Sequence, residues 1–175
     1  MHPQARLRGF TLTELLIVIG IIAVLSAFGV PGYKIVVARA NSSKCLSNLR
    51  GLGVALNSYL ADNQNVMPTL VAARSDLSQQ DPALDTVLLP YVDSPAIFTC
   101  PAGRAIAKTT GTSYYWNSAL NGQPVASLNF FGFIKNPSGI PVILDKGSWH
   151  DYTGNPVNQL FADGHAENQL NFITQ

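Results

Sequence analysis

The first pattern along the chain is an unbroken apolar run. Residues 15–33 carry no charged side chain across nineteen positions, and from residue 10 to residue 33 the only charged group is Glu14. At 1.5 Å of rise per residue, a helix of that length covers about the 30 Å of a hydrocarbon core. The run therefore predicts a membrane-crossing helix. A core helix apolar on every side would have to be wrapped completely, and a chain of 175 residues has little material for that. A cleavable secretory signal is the other reading, because Arg6 and Arg8 precede the run and Ala27, Phe28 and Gly29 have the small-x-small form of a cleavage site. The run is long for such a signal, and Glu14 sits oddly near its start.

Beyond residue 33 the apolar positions thin out to helical spacing. Cys45, Leu49, Leu52, Leu56 and Tyr59 recur at steps of four and three, with Lys44, Ser47, Asn48, Arg50 and Asn57 on the opposite face. This predicts an amphipathic stem helix that ends near residues 63–65, with Pro68 just beyond. Gly20, Gly29, Pro31 and Gly32 are weak points where the helix can bend or melt locally. Residues 64–110 are rich in Pro, Asp and Ser and read as loop, one short helix near 82–90, and loop. Strand-like runs follow at residues 113–116, 128–134 and 141–144, then at 159–162 paired with 165–170. The expected fold class is α+β: a long N-terminal helix, transmembrane in its first half, packed on a small C-terminal antiparallel β-sheet domain. The segments are 10–33 for the membrane helix, 34–63 for the stem and 64–175 for the globular domain.

Charge narrows the partners. Charged residues make up 12% of the chain, against roughly a quarter in average soluble domains, and apolar residues 47%. Such a composition excludes disorder and binding of nucleic acid through bulk charge. Lys34, Arg39, Lys44 and Arg50 form a basic zone directly after the apolar run, whereas from residue 51 onward five basic residues face nine acidic ones, a balance of −4. No nucleic-acid partner is expected from a domain of that sign. The two leader arginines against four basic residues beyond the span favour, by count alone, a topology with the globular domain inside.

Arg6, Arg8 and Gly9 followed by Phe10, Thr11, Leu12, Thr13, Glu14, Leu15 and Leu16 resemble the leader of type IV pilins and type II secretion pseudopilins. The resemblance implies a leader of residues 1–9, cleavage between Gly9 and Phe10 by a prepilin peptidase, and N-methylation of Phe10. It also implies a proline in the helix where Pro31 stands, and an assembly role for Glu14. A carboxylate in a bilayer costs a few kcal/mol and needs a partner; in the family that partner is the free amine of a neighbouring subunit, here Phe10. Snorkelling of an unpaired Glu14 to the interface is the plainer alternative. A second resemblance rests on residues 44–49, 88–92, 98–101 and 113–117, and on Phe161, Ala162, Asp163, Gly164 and His165. It is to pilin-like proteins with a C-terminal His-x9-Asp-Gly signature. Here twelve residues separate His150 from Asp163, consistent with an insertion around Tyr152, Thr153, Gly154 and Asn155.

Cys45 and Cys100 are the only cysteines. With export to an oxidising compartment, an even pair reads as one disulfide tying the stem helix to the loop before Pro101; two buried free thiols are the alternative. Metal ligation by two cysteines without Cys-x-x-Cys spacing is not expected. Asp163 and Gly164 between two alternating runs read as a two-residue type I′ hairpin turn. Asp163, His165 and His150, with Asp145 or Asp151, are the candidates for a metal. Calcium is the ion the pseudopilin resemblance suggests, but the loop lacks clustered carboxylates. No cofactor is expected. Nor does any catalytic motif stand out, Ser148, Trp149 and His150 being the nearest to one.

These observations predict a structural filament subunit rather than an enzyme. The expectation is a type II secretion pseudopilin in the bacterial inner membrane, single-pass, with its globular domain in the periplasm. Its partners would be prepilin peptidase, other pilin-like subunits, an inner-membrane assembly platform and, before assembly, membrane lipid. A type IV or competence pilus subunit shares the architecture and would place the filament at the cell surface. A membrane-anchored or secreted binding module and a metal-dependent hydrolase using His150, Asp163 and His165 are the rivals from other classes.

Overall fold

The computed structural model describes residues 10–150 and 156–168. The chain forms two units, one up to Val37 and one from Ala38 onward. Helix α1 (Leu12–Asp62) is continuous through Pro31. In the first unit Leu15, Leu16, Ile17, Ile19, Ile22 and Leu25 are all exposed, and none of the most apolar stretch is buried. Among the described residues this is the one helix long and apolar enough to cross a membrane.

In the second unit α1 turns one face inward. Cys45, Leu49, Leu52 and Leu56 are buried at the predicted spacing; Leu60 is buried in place of the predicted Tyr59, which is half-buried and meets Tyr91 edge-on at 5.8 Å between ring centroids. Asn48 departs from the sequence reading, which put it on the polar face: it is buried. A position one step from Leu49 lies at the edge of the stripe, and its amide is satisfied there by two acceptors. The helix stops after Asp62 because Gln64 and Asn65 take left-handed backbone angles, φ 56° and 55°, and the Asn65 N–H folds back onto the Leu60 carbonyl at 2.8 Å.

The short helix expected near residue 85 is α2 (Leu84–Val87), continued by a 3₁₀ turn over Leu89–Tyr91. Residues 101–110, expected as loop, contain a second helix. Pro101 opens a 3₁₀ turn, α3 (Arg104–Thr110) follows, and Gly111 closes it at φ 88°. Pro at the start and Gly at the end were the signals for it.

Four antiparallel strands form one sheet in the order β1 (Tyr114–Trp116), β2 (Pro141–Asp145), β3 (Gln159–Phe161), β4 (Ala166–Glu167). Tyr114 faces Asp145, Trp116 faces Ile143, Ile143 faces Leu160, and Leu160 faces Ala166. The register slips between Pro141 and Ile143, where proline has no N–H to give the ladder. Tyr114, Trp116, Ile143 and Leu160 join Leu49, Leu52 and Phe98 in one core.

Two strand readings need correction. Residues 128–134 form a tight loop, with only the isolated pair Phe130 and Ile134 bridged. Phe131 and Gly132 both have positive φ, and the Asn129 Oδ1 accepts the Gly132 N–H at 2.7 Å, so the chain reverses there and no strand can extend. At the last hairpin the turn is not the two-residue type. Gly164 alone is left-handed, at φ 90°, its N–H reaching the Phe161 carbonyl, and the Phe161 N–H reaching that of His165. This is a three-residue loop closed by a glycine bulge. The last residues of the predicted strand 165–170 lie outside the described residues.

Candidate functional site

The N-terminal end of α1 is built around Thr11. Its hydroxyl accepts the Glu14 N–H at 3.2 Å, while the Glu14 carboxylate accepts the Thr11 N–H at 2.9 Å and the Thr11 hydroxyl proton at 2.7 Å. This is a reciprocal capping box, satisfying donors that a helix start leaves open. Thr11, Leu12, Thr13 and Glu14 spell the [Ser/Thr]-x-x-[Asp/Glu] signature, so the cap was readable in the sequence and was missed beside the assembly role of Glu14. The Phe10 side chain is exposed. Gly9 and the leader lie outside the described residues, as does the side chain of Pro31.

In the second unit Cys45 and Cys100 are joined by a disulfide, with Cα atoms 5.0 Å apart. The Cys100 side is held by Ser113, whose hydroxyl accepts the Cys100 N–H at 3.0 Å and donates to the Gly103 carbonyl at 3.1 Å. Beside the disulfide, His150 Nε2 lies 3.7 Å from the Cys100 sulfur and 3.4 Å from Asp145 Oδ2. Cys45, Cys100, Asp145 and His150 are all buried. Asp145 Oδ2 also accepts the Asn158 N–H at 2.9 Å. The His150 N–H donates to the Pro156 carbonyl at 3.2 Å. Trp149 lies between two glycines: a Cβ on Gly103 would come within 2.5 Å of its ring and one on Gly147 within 2.6 Å. Only backbone fits there, and the neighbouring His150 is fully buried.

The sequence grouped His150 with Asp163, His165 and either Asp145 or Asp151, and of these the structure brings only Asp145 to it among the described residues. The structure instead pairs Asp163 with His165 at the final hairpin, half exposed, with the His165 ring stacked on Phe161 at 4.4 Å. His150 goes to the disulfide, with Asp145 as its acidic neighbour. Asp151 and residues 152–155 lie outside the described residues. Long-range pairing of β1 with β2 brings Asp145 there, and no local spacing signals it.

Two neighbouring groups are electrostatically shifted. Burial, with a further contribution from Asp145, pushes the Tyr114 phenol well above its ordinary range, partly offset by the amide of Asn48. Burial pulls Lys146 down to about 8; its ammonium donates to the Thr110 hydroxyl at 2.7 Å and lies 5.8 Å from the Tyr115 ring centre. An open cleft of about 560 Å³ beside Trp116, Phe130, Phe133 and Leu144 has no acid or base in its lining among the described residues.

The family described as the prokaryotic N-terminal methylation motif matches residues 5–30. A fimbrial protein of Dichelobacter nodosus is 36% identical over 74 residues, which is 42% of this chain and 46% of that protein. A type IV major fimbrial protein FimA of the same organism is 35% identical over 74 residues, with the same coverage. Another FimA is 40% identical over 57 residues, 33% of this chain and 36% of its own length. The chain spans less than half the length of these curated relatives, and no solved structure matches it. The methylation motif, the fimbrial relatives and a long apolar helix leading into a small antiparallel sheet together support a type IV pilin-like family for this chain.

Proposed function

We propose that the chain is a structural subunit of a type IV pilin-like filament, cut between Gly9 and Phe10 by a prepilin peptidase and methylated at Phe10. The observation that carries this is continuity: the methylation motif at residues 5–30 takes in the start of a helix whose most apolar stretch is left uncovered among the described residues. Lipid covers it before assembly, and the same helix of neighbouring subunits covers it afterwards. In a low-dielectric bundle, Glu14 neutralises the Phe10 amine of a neighbour and sets the axial step between subunits. Repeated head-to-tail contacts that do not close into a ring generate a filament. The globular unit lies on the periplasmic side of the inner membrane, and the chain is the substrate of the peptidase rather than an enzyme.

Mass and N-terminal sequence of the protein from native membranes, with and without the peptidase, test this reading. A methylated Phe10 terminus that depends on the peptidase supports it; a terminus at Val30, or an uncut Met1, overturns it. Within the filament reading, the fimbrial names of the relatives favour a surface pilus. Their likeness leaves more than half of this chain unmatched, which keeps the type II secretion pseudopilin as the second reading. A deletion strain separates them, because a pilus subunit removes surface filaments and a pseudopilin removes exoprotein release.

A further inference from the structure

The disulfide is surrounded by more chemistry than a structural crosslink requires. Cys45, Cys100, Asp145 and His150 each offer one ligand atom, and these atoms lie within 4.8 Å of one another. All four belong to the unit from Ala38 onward, so nothing here depends on the filament reading. A buried acid and a buried imidazole beside sulfur need a reason, since desolvating them costs free energy without compensation from an apolar core. Asp145 Oδ1 is buried and, among the described residues, accepts no hydrogen bond.

The spacing fits a tetrahedral cation. With zinc–sulfur near 2.3 Å and zinc–nitrogen or zinc–oxygen near 2.0 Å, sulfur-to-nitrogen edges are about 3.5 Å and nitrogen-to-oxygen edges about 3.3 Å. The corresponding edges here are 3.7 Å, Cys100 Sγ to His150 Nε2, and 3.4 Å, His150 Nε2 to Asp145 Oδ2. The edges from Cys45 to His150 and from Asp145 to either sulfur lie within 4.8 Å, and the sulfur-to-sulfur edge is closed by the disulfide itself. Breaking that bond lets them separate toward the edge of a tetrahedron, about 3.8 Å.

We propose that, once its disulfide is reduced, the globular domain binds one zinc-type divalent cation through Cys45, Cys100, Asp145 and His150. A dithiol reductant supplies two electrons and two protons to the sulfurs and is itself oxidised to a disulfide. Cation uptake then releases the two thiol protons to solvent, leaving two thiolates, one carboxylate and a neutral imidazole with its proton on Nδ1. Disulfide and cation are mutually exclusive, so the site exists only before oxidation or after reduction. In that state the cation would hold the stem helix against the sheet in place of the covalent bond.

The test is a Co²⁺ titration of the full chain in detergent, oxidised and after anaerobic reduction with a phosphine, followed by absorbance and circular dichroism. The expected result is one equivalent bound by the reduced chain, with thiolate charge-transfer and tetrahedral visible bands that Zn²⁺ abolishes, and none bound by the oxidised chain. His150→Ala and Asp145→Asn should each weaken binding at least about tenfold. The proposal is overturned if the reduced wild-type chain gives no cobalt bands whether or not it stays folded. It is equally overturned if the oxidised chain binds as well as the reduced one, or if both variants bind as tightly as wild type. The comparison of oxidised with reduced wild type needs no variant to fold.

Discussion

Asn48, on the buried face of α1, donates its side-chain amide to the phenolic oxygen of Tyr114 on β1 across 3.3 Å. The same amide donates to the Thr99 carbonyl at 3.0 Å, so one side chain ties the stem helix to the sheet and to the loop before Cys100. Replacing it by leucine keeps the forked shape of the side chain, adds some bulk and strands both acceptors. The Asn48→Leu variant should lose about 1–3 kcal/mol of stability, whereas Tyr114→Phe, which leaves the Thr99 contact intact, should lose less. Thermal or denaturant unfolding of the detergent-solubilised chain measures both.

The disulfide should carry a large share of the domain's stability. Cys45 and Cys100 are 55 residues apart, for which loop-closure entropy predicts about 4 kcal/mol. In the presence of a chelator, reduction should lower the unfolding midpoint by a corresponding amount without changing the protein's mass by more than two hydrogens. A midpoint that stays put on complete reduction would refute the estimate.

Arg74 and Asp85 form a buried ion pair that the sequence did not suggest, linking the chain after α1 to α2. Arg74 Nε and Asp85 Oδ1 remain without a hydrogen-bond partner among the described residues. Removing one charge leaves the other uncompensated. Asp85→Ala should therefore cost about 3–5 kcal/mol, and the double variant Arg74→Met with Asp85→Leu should cost less than the single change. A double-mutant cycle decides the sign.

Lys146 gives the domain a pH signature. Burial lowers its folded value to about 8 from the ordinary 10.5, so between those pH values the unfolded chain binds more protons than the folded one. Stability should rise as pH increases through that window, by about 1 kcal/mol once solvent screening of a half-buried ammonium is allowed for. Tyr114 opposes this at the upper end, since its raised folded value makes the folded state hold its proton longer and stability fall above the ordinary phenol range. Unfolding free energies of Lys146→Gln between neutral pH and pH 10 should lack the rise.

What could be read from the sequence was whatever one element encodes by itself. The span of α1, its buried stripe from Cys45 to Leu56 and its stop after Asp62 are all local signals of period, charge and turn chemistry. The antiparallel sheet was predicted from alternation, and its four strands fall where alternation placed them. Residues 128–134 misled because an aromatic run next to turn residues looks the same whether or not a partner strand is available; here Phe131 and Phe133 stay 67% and 78% exposed. The disulfide followed from cysteine count and expected compartment, and Asp145 and His150 stood together among the candidate ligands, but their place beside the disulfide was not foreseen. Asp145 comes to that place through the pairing of β2 with β1, a relation that no spacing along the chain expresses.

The crosslink between Cys45 and Cys100 also alters how the domain bears tension. A pull applied between the helix at Ala38 and the sheet at β4 travels along the chain to Cys45, crosses the sulfur bridge and leaves from Cys100. The 55-residue separation between the two sulfurs is shielded from the load, a hidden length on the order of 190 Å at about 3.5 Å per extended residue. With the bridge intact, α2, Arg74 and Asp85 are spectators of the force. Once it is cut they become the links in series, and the same domain turns from a stiff connector into an extensible one.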